Sequence, residues 1–280
     1  MLLAPLPAVT VGAAVARAQG IPVAAFAPNL LAMFLGMALV LGCRPGRTAA
    51  RKTWTRWLPL AGAILVGLTL LFPGLDGVHR WLVLGPVRLN ASTVVSPWLL
   101  AGVHAQARRS PGRALALLGA LLLVHVLQPD AGQATALALG GLVLIWRAPL
   151  ATSATRAVAV VLVLSIAGLA WSRPDPLPAL DHVERVLALG LSHGAGFAVA
   201  TVMAMALLLA PMLVARGHAS PALALGFTVY VLAAVAVTFF GNYPVPVMGA
   251  GAGPVLGWYS MVAYLRCAAV PGAAVTRAPR

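Results

Sequence analysis

Acidic residues are scarce in this chain. Five of its 280 residues are Asp or Glu, against nineteen Lys and Arg, and charged residues make up 9% of the sequence. Soluble domains carry roughly 25% charged residues. With 61% hydrophobic residues and a mean hydropathy of +0.95, a water-soluble fold would expose large apolar patches. The composition therefore excludes a soluble globular domain and predicts an integral membrane protein.

Cysteine is also scarce, and long polar segments are absent. Cys43 and Cys267 each end an apolar run beside an arginine. Both are predicted on the cytoplasmic side, where a disulfide is not expected, and their spacing does not match a metal site. The longest predicted outer loop, 74–90, has 17 residues. We therefore predict a single membrane-embedded domain over residues 1–280, with any chemistry at the membrane surface or inside the helix bundle.

Ten apolar runs are candidates for membrane-spanning helices, which need about 20 mostly apolar residues. They cover residues 2–16, 24–43, 57–73, 91–106, 114–127, 131–147, 157–171, 186–214, 221–240 and 254–267. The predicted fold class is therefore all-α: a polytopic integral membrane protein with about ten transmembrane helices.

The loops between these runs alternate in charge. Loops 44–56, 107–113, 147–156 and 215–220, with the C-terminal tail, hold fourteen basic residues and no acid, whereas the other loops hold five arginines and all five acids. The positive-inside rule makes the basic side cytoplasmic and places both termini there. The net charge of +14 thus indicates topology and attraction to anionic membrane lipids. Nucleic-acid binding is rejected, because the basic residues do not share one polar face.

The first run has two interpretations. Ala16-Arg17-Ala18 is similar to a signal-peptidase site. No basic residue precedes the run, however, and a signal peptide has a basic n-region. Retention of residues 1–18 is the preferred interpretation, and cleavage would leave the topology of the other runs unchanged.

Three of the five acids are candidates for chemistry. Asp130 follows Pro129 in a turn, where it is expected to cap the next helix, but an acid buried near the membrane surface is also a functional candidate. Asp181 and Glu184 lie before the eighth run, where the helix dipole favours carboxylates. Partial burial there would raise the pKa of a carboxylate and suit it to act as a general base. Asp76 and Asp175 are expected to balance arginine charge.

Other outer segments carry further expectations. Arg80 and Arg88 suit an anionic headgroup or a pyrophosphate, although anchoring at the interface beside Trp81 is the simpler interpretation. A polar pair within the eighth run, Ser192-His193, is expected to bridge neighbouring helices. The Gly- and Pro-rich segment 241–254 cannot be a continuous helix. It is predicted to be a re-entrant or cavity-lining turn, because irregular backbone at membrane depth must be buried in protein or line a cavity.

Four outer segments together resemble the SEDS family (shape, elongation, division and sporulation), which includes RodA and FtsW. They are Arg80-Trp81 with Leu84-Gly85-Pro86, Leu127-Gln128-Pro129-Asp130 with Gly132, His182-Val183-Glu184 with Gly190, and Pro244-Val245-Pro246-Val247-Met248-Gly249 with Gly253 and Arg266. The second segment is the most specific. The other three are weak alone, but they occur in the order found in the family and on the predicted outer side. The resemblance implies a peptidoglycan glycosyltransferase of cell-shape or division machinery in the bacterial inner membrane.

In that family lipid II is polymerised outside the membrane, and a carboxylate before the eighth helix activates the acceptor hydroxyl. By the resemblance the base is Glu184, with Asp181 as the fallback and Asp130 as a further catalytic acid. The implied substrate-binding residues are Arg80, Trp81, Arg88, Gln128, His182 and Arg185. No metal ligands are assigned and no cofactor is certain, although a divalent cation is compatible with the chemistry. The implied partners are lipid II or another polyprenyl-pyrophosphate-linked substrate, a single-pass transpeptidase (penicillin-binding protein) and membrane lipids.

The sequence departs from the family pattern at the implied site. Thr93 and Ser96 stand where the family carries a Glu and a Lys, and the base is Glu in place of Asp. A displacement of order 1 Å can lower a catalytic rate about 100-fold. Three functions stay open: a glycosyltransferase with a degenerate site, a non-catalytic scaffold for a transpeptidase or lipid-linked precursor, and a transporter of a lipid-linked or anionic substrate. The irregular segment 241–254 favours the transporter.

Overall fold

The computed structural model describes residues 1–43, 48–85, 87–215 and 220–268. These residues form eleven α-helices. The helices are α1 (Pro5–Ala18), α2 (Ala27–Gly42), α3 (Thr48–Leu68), α4 (Ala91–Ala107), α5 (Pro111–Leu127), α6 (Ala131–Trp146), α7 (Ser153–Trp171), α8 (Val186–Ser192), α9 (Ala195–Ala215), α10 (Pro221–Val237) and α11 (Ala252–Ala268). The predicted basic loop positions 44–47 and 216–219, the tail after 268 and Pro86 of the SEDS-like segment lie outside the described residues.

The helices coincide with the ten predicted apolar runs, and the all-α polytopic membrane fold is confirmed. Three helical segments are long and apolar enough to cross a bilayer by themselves: Val23–Gly42, Ser153–Trp171 and Ala195–Ala215. All three are peripheral, and they expose large apolar side chains such as Phe34 and Val161. This apolar exterior suits a surface that is solvated by lipid.

The eighth predicted run, 186–214, is broken into two helices. α8 ends at Ser192 and α9 begins at Ala195. Gly194 lies between them with φ +117°, a backbone conformation that favours glycine. Ser192 and His193 are exposed at this break. The expectation that they bridge neighbouring helices is therefore wrong, because the break turns both side chains to the surface.

Close helix packing forms the core. α10 packs along α6, and α11 packs against α2 and α4. A Cβ atom at Gly36 of α2 would overlap the ring of Tyr259 on α11, and one at Gly257 of α11 would overlap the backbone of Thr93 on α4. In a bilayer, helices associate through such close packing at small residues. The bundle therefore holds the outer ends of these helices at fixed positions.

The outer loop 74–90 contains a β-hairpin that positions Arg80. Strand β1 (Trp81–Leu84) pairs antiparallel with β2 (Val87–Asn90), and Trp81 lies opposite Asn90. Asn90 then caps α4, because its side-chain oxygen accepts a hydrogen bond from the N–H of Thr93 (3.2 Å). The hairpin is thus fixed at the start of α4, with Arg80 immediately before β1.

Candidate active site

Arg80 is the centre of a buried charge cluster at the outer end of the bundle. The residue is 6% exposed. Its Nη2 donates to Asp175 Oδ2 (2.6 Å) and to the carbonyl of Pro129, and its Nη1 donates to the carbonyl of Asn242 (3.3 Å). Its Nε lies 3.6 Å from Asp130 Oδ2. One guanidinium therefore joins the hairpin to three other outer loops.

The charges in this cluster compensate one another. Burial by itself lowers the pKa of Arg80, but the negative charges of Asp130 and Asp175, with a smaller contribution from Glu184, raise it overall. Arg80 thus stays charged although it is buried. The expectation that Asp175 balances arginine charge is confirmed. The role of Arg80 in substrate binding stays a prediction, and the contacts described here already occupy three of its four Nη N–H donors.

The Leu127–Asp130 turn is held by its own polar side chains. Asp130 Oδ1 accepts a hydrogen bond from the N–H of Gln133 (3.1 Å), which confirms the predicted cap of α6. Gln128 is fully buried, and its Nε2 donates to the carbonyl of Val66 (2.9 Å) and to Thr69 Oγ1 (2.6 Å). Gln128 therefore ties this turn to the outer end of α3, and its predicted contact with substrate would require this side chain to be released.

Glu184 lies in a short turn before α8 and is half-buried. Its Oε2 accepts a hydrogen bond from the N–H of Leu180 (2.8 Å). Burial raises the pKa of Glu184, whereas backbone hydrogen bonds and the charge of Arg80 lower it and the charge of Asp175 raises it. The net direction is upward. Glu184 thus belongs to the same electrostatic environment as the Arg80 cluster and is suited to accept a proton.

The backbone of the Glu184 turn is docked on the segment between α10 and α11. The N–H of Val245 donates to the carbonyl of Val183 (2.9 Å), and the N–H of Ala250 donates to the carbonyl of His182 (2.8 Å). These two bonds hold the two residues immediately before Glu184. Movement of segment 241–251 would therefore move the carboxylate.

Residues 241–251 of the predicted segment 241–254 form an irregular turn buried in protein, whereas 252–254 belong to α11. Asn29 of α2 holds this turn. Asn29 is fully buried. Its Nδ2 donates to the carbonyls of Val247 (3.2 Å) and Gly249 (2.8 Å), and its Oδ1 accepts from the N–H of Gly251 (2.7 Å). One amide thus satisfies three backbone groups that have no helix or strand to satisfy them. Asn29 was not among the predicted site residues, although a single amide inside an apolar run is a recognisable signal.

The remaining predicted residues lie at the outer surface. Asp181 pairs with Arg185 at 3.7 Å, and the side chains are 49% and 62% exposed, so this pair contributes little to stability. Arg88 is exposed on β2, and Trp81 is half-buried at the start of β1. Within the described ranges no group of three His, Cys, Asp or Glu side chains suits a metal ion. The outer surface therefore presents the exposed cations Arg88 and Arg185, of which Arg185 follows Glu184 directly in the chain.

A neutral polar network occupies the positions where the SEDS resemblance expects a Glu and a Lys. Ser96 is fully buried and Thr93 is 3% exposed. Gln133 Nε2 donates to Ser96 Oγ (2.5 Å) and to the Tyr230 hydroxyl (3.2 Å), and the Tyr243 hydroxyl donates to Gln133 Oε1 (2.7 Å). Hydrogen bonds among neutral groups thus replace a charged pair. Gln133, Tyr230 and Tyr243 were not predicted, because each is a single polar group in an otherwise apolar or loop segment.

The space beside this network is small. A cavity of about 20 Å³ lies between Thr93, Tyr230, Tyr243 and α11, which is enough for about one water molecule. A sugar cannot enter it.

Solved structures share this fold. RodA, the rod shape determining protein of Thermus thermophilus, aligns with a TM-score of 0.69 at 17% identity over 94% of this chain and 93% of that chain, and an Asp-to-Ala variant of it aligns with a TM-score of 0.71 at 17% identity over 94% of each. A chain from a peptidoglycan synthase complex that coordinates polymerization and crosslinking aligns with a TM-score of 0.67 at 18% identity over 94% of this chain and 95% of that chain. No protein-family model and no curated protein matches the sequence. The chain has the RodA fold, and the fold implied by the SEDS resemblance is confirmed.

Proposed function

We propose that this chain is a SEDS-like peptidoglycan glycosyltransferase that uses Glu184 as its general base at the outer face of the bacterial inner membrane. The supporting observation is which carboxylates are paired with an arginine and which one is not. Asp130 and Asp175 face Arg80, and Asp181 pairs with Arg185. Among the described residues, Glu184 is the half-buried carboxylate that has no ion pair within 4 Å.

The reaction requires a proton acceptor and a way to offset developing negative charge. The acceptor hydroxyl attacks the anomeric carbon of the donor, its proton passes to the Glu184 carboxylate, and the bond between that carbon and the pyrophosphate oxygen breaks. A carboxylate free of a cation and partly desolvated is the stronger base, because neither effect favours its ionised form. Arg88 and Arg185, which are exposed at this face, offset the charge on the leaving polyprenyl pyrophosphate.

The two candidate bases, Glu184 and Asp181, differ in burial and in ion pairing. Glu184 is half-buried and hydrogen-bonded into its turn, whereas Asp181 is half-exposed and paired with Arg185. The register implied by the sequence resemblance, with Glu184 as base, is therefore preferred over the fallback Asp181. Arg80 and Asp130 are assigned as positioning residues that fix the loops around Glu184.

The proposed setting is a single domain over residues 1–280 that acts in cell shape or division. Lipid II or a related polyprenyl-pyrophosphate substrate is the proposed ligand. The proposed protein partner is a single-pass transpeptidase, since one protein of the same fold is part of a complex for polymerization and crosslinking. Exposed apolar faces such as that of α7 offer a surface for a partner's transmembrane helix.

The test is polymerisation of labelled lipid II by the purified protein. Glu184→Gln keeps the size and hydrogen-bonding capacity of the side chain but removes the base, so we expect the rate to fall about 100-fold or more. Asp181→Asn is the matched control and should stay within a few-fold of wild type. Unchanged polymerisation by Glu184→Gln would eliminate Glu184 as the base, and selective loss in Asp181→Asn would move the base to Asp181.

A non-catalytic scaffold is the second candidate. The neutral network around Ser96 favours it, because the site lacks the charged pair that the family resemblance expects. A scaffold depends on helix surfaces and not on the base. Rescue of a wall-morphology defect by the double variant Glu184→Gln, Asp181→Asn would support the scaffold, and failure of this variant to rescue would support catalysis.

A further inference from the structure

A second, chemically different cavity lies at the opposite end of the bundle. It has a volume of about 590 Å³, within the range of small-molecule sites. Its walls are the ends of α4 and α6 and the start of α10. The polar lining residues are His104, Arg108, Arg147 and Ser220, and apolar residues such as Leu144 complete the walls. The cavity therefore combines two guanidinium groups with an apolar wall.

No Asp or Glu side chain balances these two arginines. Arg108 and Arg147 are exposed, and no ion pair or side-chain hydrogen bond joins either of them to another described residue. All five Asp and Glu side chains of the chain belong to the outer loops. Asp130 and Arg147 lie at opposite ends of α6, about 25 Å apart at 1.5 Å per residue. This distance exceeds the Debye length of about 8 Å at physiological ionic strength.

The start of α10 adds hydrogen-bond donors to the same cavity. Ser220 precedes α10 but does not cap it, because its hydroxyl lies 3.0 Å from His104 Nε2. The first helical hydrogen bond of α10 runs from the N–H of Ala224 to the carbonyl of Ser220 (3.0 Å). The N–H groups of Ala222 and Leu223 therefore have no acceptor within the helix. These donors and the two guanidinium groups suit a phosphate oxygen.

We propose that this cavity is an anion-binding site for a phosphate group, carried either by an anionic membrane lipid or by a soluble phosphate. Arg108 and Arg147 bind the phosphate oxygens, and the start of α10 donates to them. The apolar lining, including Leu144 and Leu225, suits the glycerol and acyl portion of a lipid. This site is separate from the proposed outer catalytic site, so its failure and the failure of the glycosyltransferase proposal are distinguishable.

The test compares lipid retention by two charge-matched double variants. Wild type, Arg108→Gln with Arg147→Gln, and the control Arg109→Gln with Arg113→Gln are placed in phosphatidylcholine nanodiscs that contain phosphatidylglycerol, and bound phosphatidylglycerol is counted by native mass spectrometry. Arg109 and Arg113 are exposed at the same end of the bundle but do not line the cavity. At about 1 kcal/mol for each arginine, we expect roughly 30-fold weaker binding in the cavity variant and nearly wild-type binding in the control.

A second arm separates the two sources of phosphate. Inorganic phosphate is titrated into protein in nanodiscs without phosphatidylglycerol, and thermal stabilisation is measured. Stabilisation that the cavity variant loses would identify a soluble phosphate as a ligand, whereas lipid retention without such stabilisation would identify a lipid headgroup. Equal loss in both double variants, or no binding in either arm, would overturn the proposal.

A third variant keeps both arginines and blocks the site. Ala222→Asp places a carboxylate in the first turn of α10, where the helix dipole favours it, and beside the two guanidinium groups. We expect this variant to fold and to lose phosphatidylglycerol binding about as strongly as the double arginine variant. Retained binding in folded Ala222→Asp protein would overturn the assignment of the anion to this cavity.

Discussion

Removal of the Arg80 charge should destabilise the protein more than removal of the Asp130 charge. Arg80→Gln leaves two carboxylates without their common cation, and the Asp130 side chain is only 2% exposed. Asp130→Asn removes one carboxylate, but Arg80 keeps Asp175 at 2.6 Å. The asparagine also keeps the cap of α6, because Asn and Asp cap helices about equally well.

The two substitutions therefore differ in magnitude. Loss of one partner from a buried ion pair costs about 3–5 kcal/mol, because a buried charge remains uncompensated. We expect a decrease of this size in the free energy of unfolding for Arg80→Gln. For Asp130→Asn we expect about 1 kcal/mol, a typical effect of a single substitution. The double variant should cost at least about 1 kcal/mol less than the sum of the two single effects, because neighbours in one network couple.

The assay is equilibrium unfolding of purified protein in mixed micelles with a denaturing detergent, monitored by far-ultraviolet circular dichroism. Arg173→Gln is the control, since Arg173 is exposed at the same face, and it should change stability by less than about 0.5 kcal/mol. Additive effects in the double variant would refute an energetic coupling between Arg80 and Asp130. Equal effects of Arg80→Gln and Asp130→Asn would refute the central position of Arg80.

Three further outcomes are expected. Asn29→Ala should lower the free energy of unfolding by about 2–4 kcal/mol, because buried backbone groups of segment 241–251 lose their partner, as measured by the same detergent titration. Thr93→Glu should cost about 3 kcal/mol or more, since it buries a lone carboxylate against Gly253, and adding Ser96→Lys should recover part of this loss in the same assay. Polymerisation should increase as pH rises through the raised pKa of Glu184, as measured in a pH–rate profile, because the base must be ionised.

The pH dependence of polymerisation has a counterpart in the free energy of unfolding, which should change with pH in the opposite direction. The folded state raises the pKa of Glu184, so the folded protein binds this proton more tightly than the unfolded chain does. The free energy of unfolding should therefore decrease as pH rises from the ordinary glutamate value through the raised one, while activity increases. Glu184→Gln should remove this decrease, and a variant that retains it would assign the titration to another group.

Wild-type stability of Asn29→Ala or of Thr93→Glu would contradict the packing from which each prediction is derived. A stable Asn29→Ala protein would mean that segment 241–251 does not depend on this amide. A stable Thr93→Glu protein would mean that α4 and α11 can separate at Gly253. Asn29→Asp keeps the acceptor for Gly251 but places a buried carboxylate against the carbonyls of Val247 and Gly249, so it should destabilise the protein at least as much as Asn29→Ala.

The fold was largely predictable because lipid solvation imposes a strong pattern on the sequence. A helix that crosses the membrane must be apolar over most of its length, and the loops must carry the polar residues. The break at Gly194 was not predicted, because a short polar interruption such as Ser192-His193 is also compatible with a continuous helix that bridges its neighbours. The hairpin at 81–90 was not predicted either, because eight residues with one arginine do not establish a period-two pattern.

The candidate site was predictable where polar groups cluster in sequence and not where they meet through folding. Asp130 and Glu184 stand in recognisable segments, and the cap at Asp130 follows from the proline before it. The contact between Arg80 and Asp175 spans 95 residues, and that between Asn29 and Gly249 spans 220. No local spacing indicates such contacts, since helix packing alone brings these residues together.

The separation of charge along the membrane normal has different consequences at the two ends of the bundle. At the outer end arginine and carboxylate occur together, so Asp130, Asp175 and Asp181 are held by cations while Glu184 remains half-buried without an ion pair. At the other end no Asp or Glu side chain is available, so the arginines around the cavity attract an external anion. A carboxylate that is free to accept a proton and a basic cavity that lacks a counter-ion therefore follow from one charge distribution. The orientation signal in the sequence thus also separates the proposed base at one end of the bundle from the proposed anion site at the other.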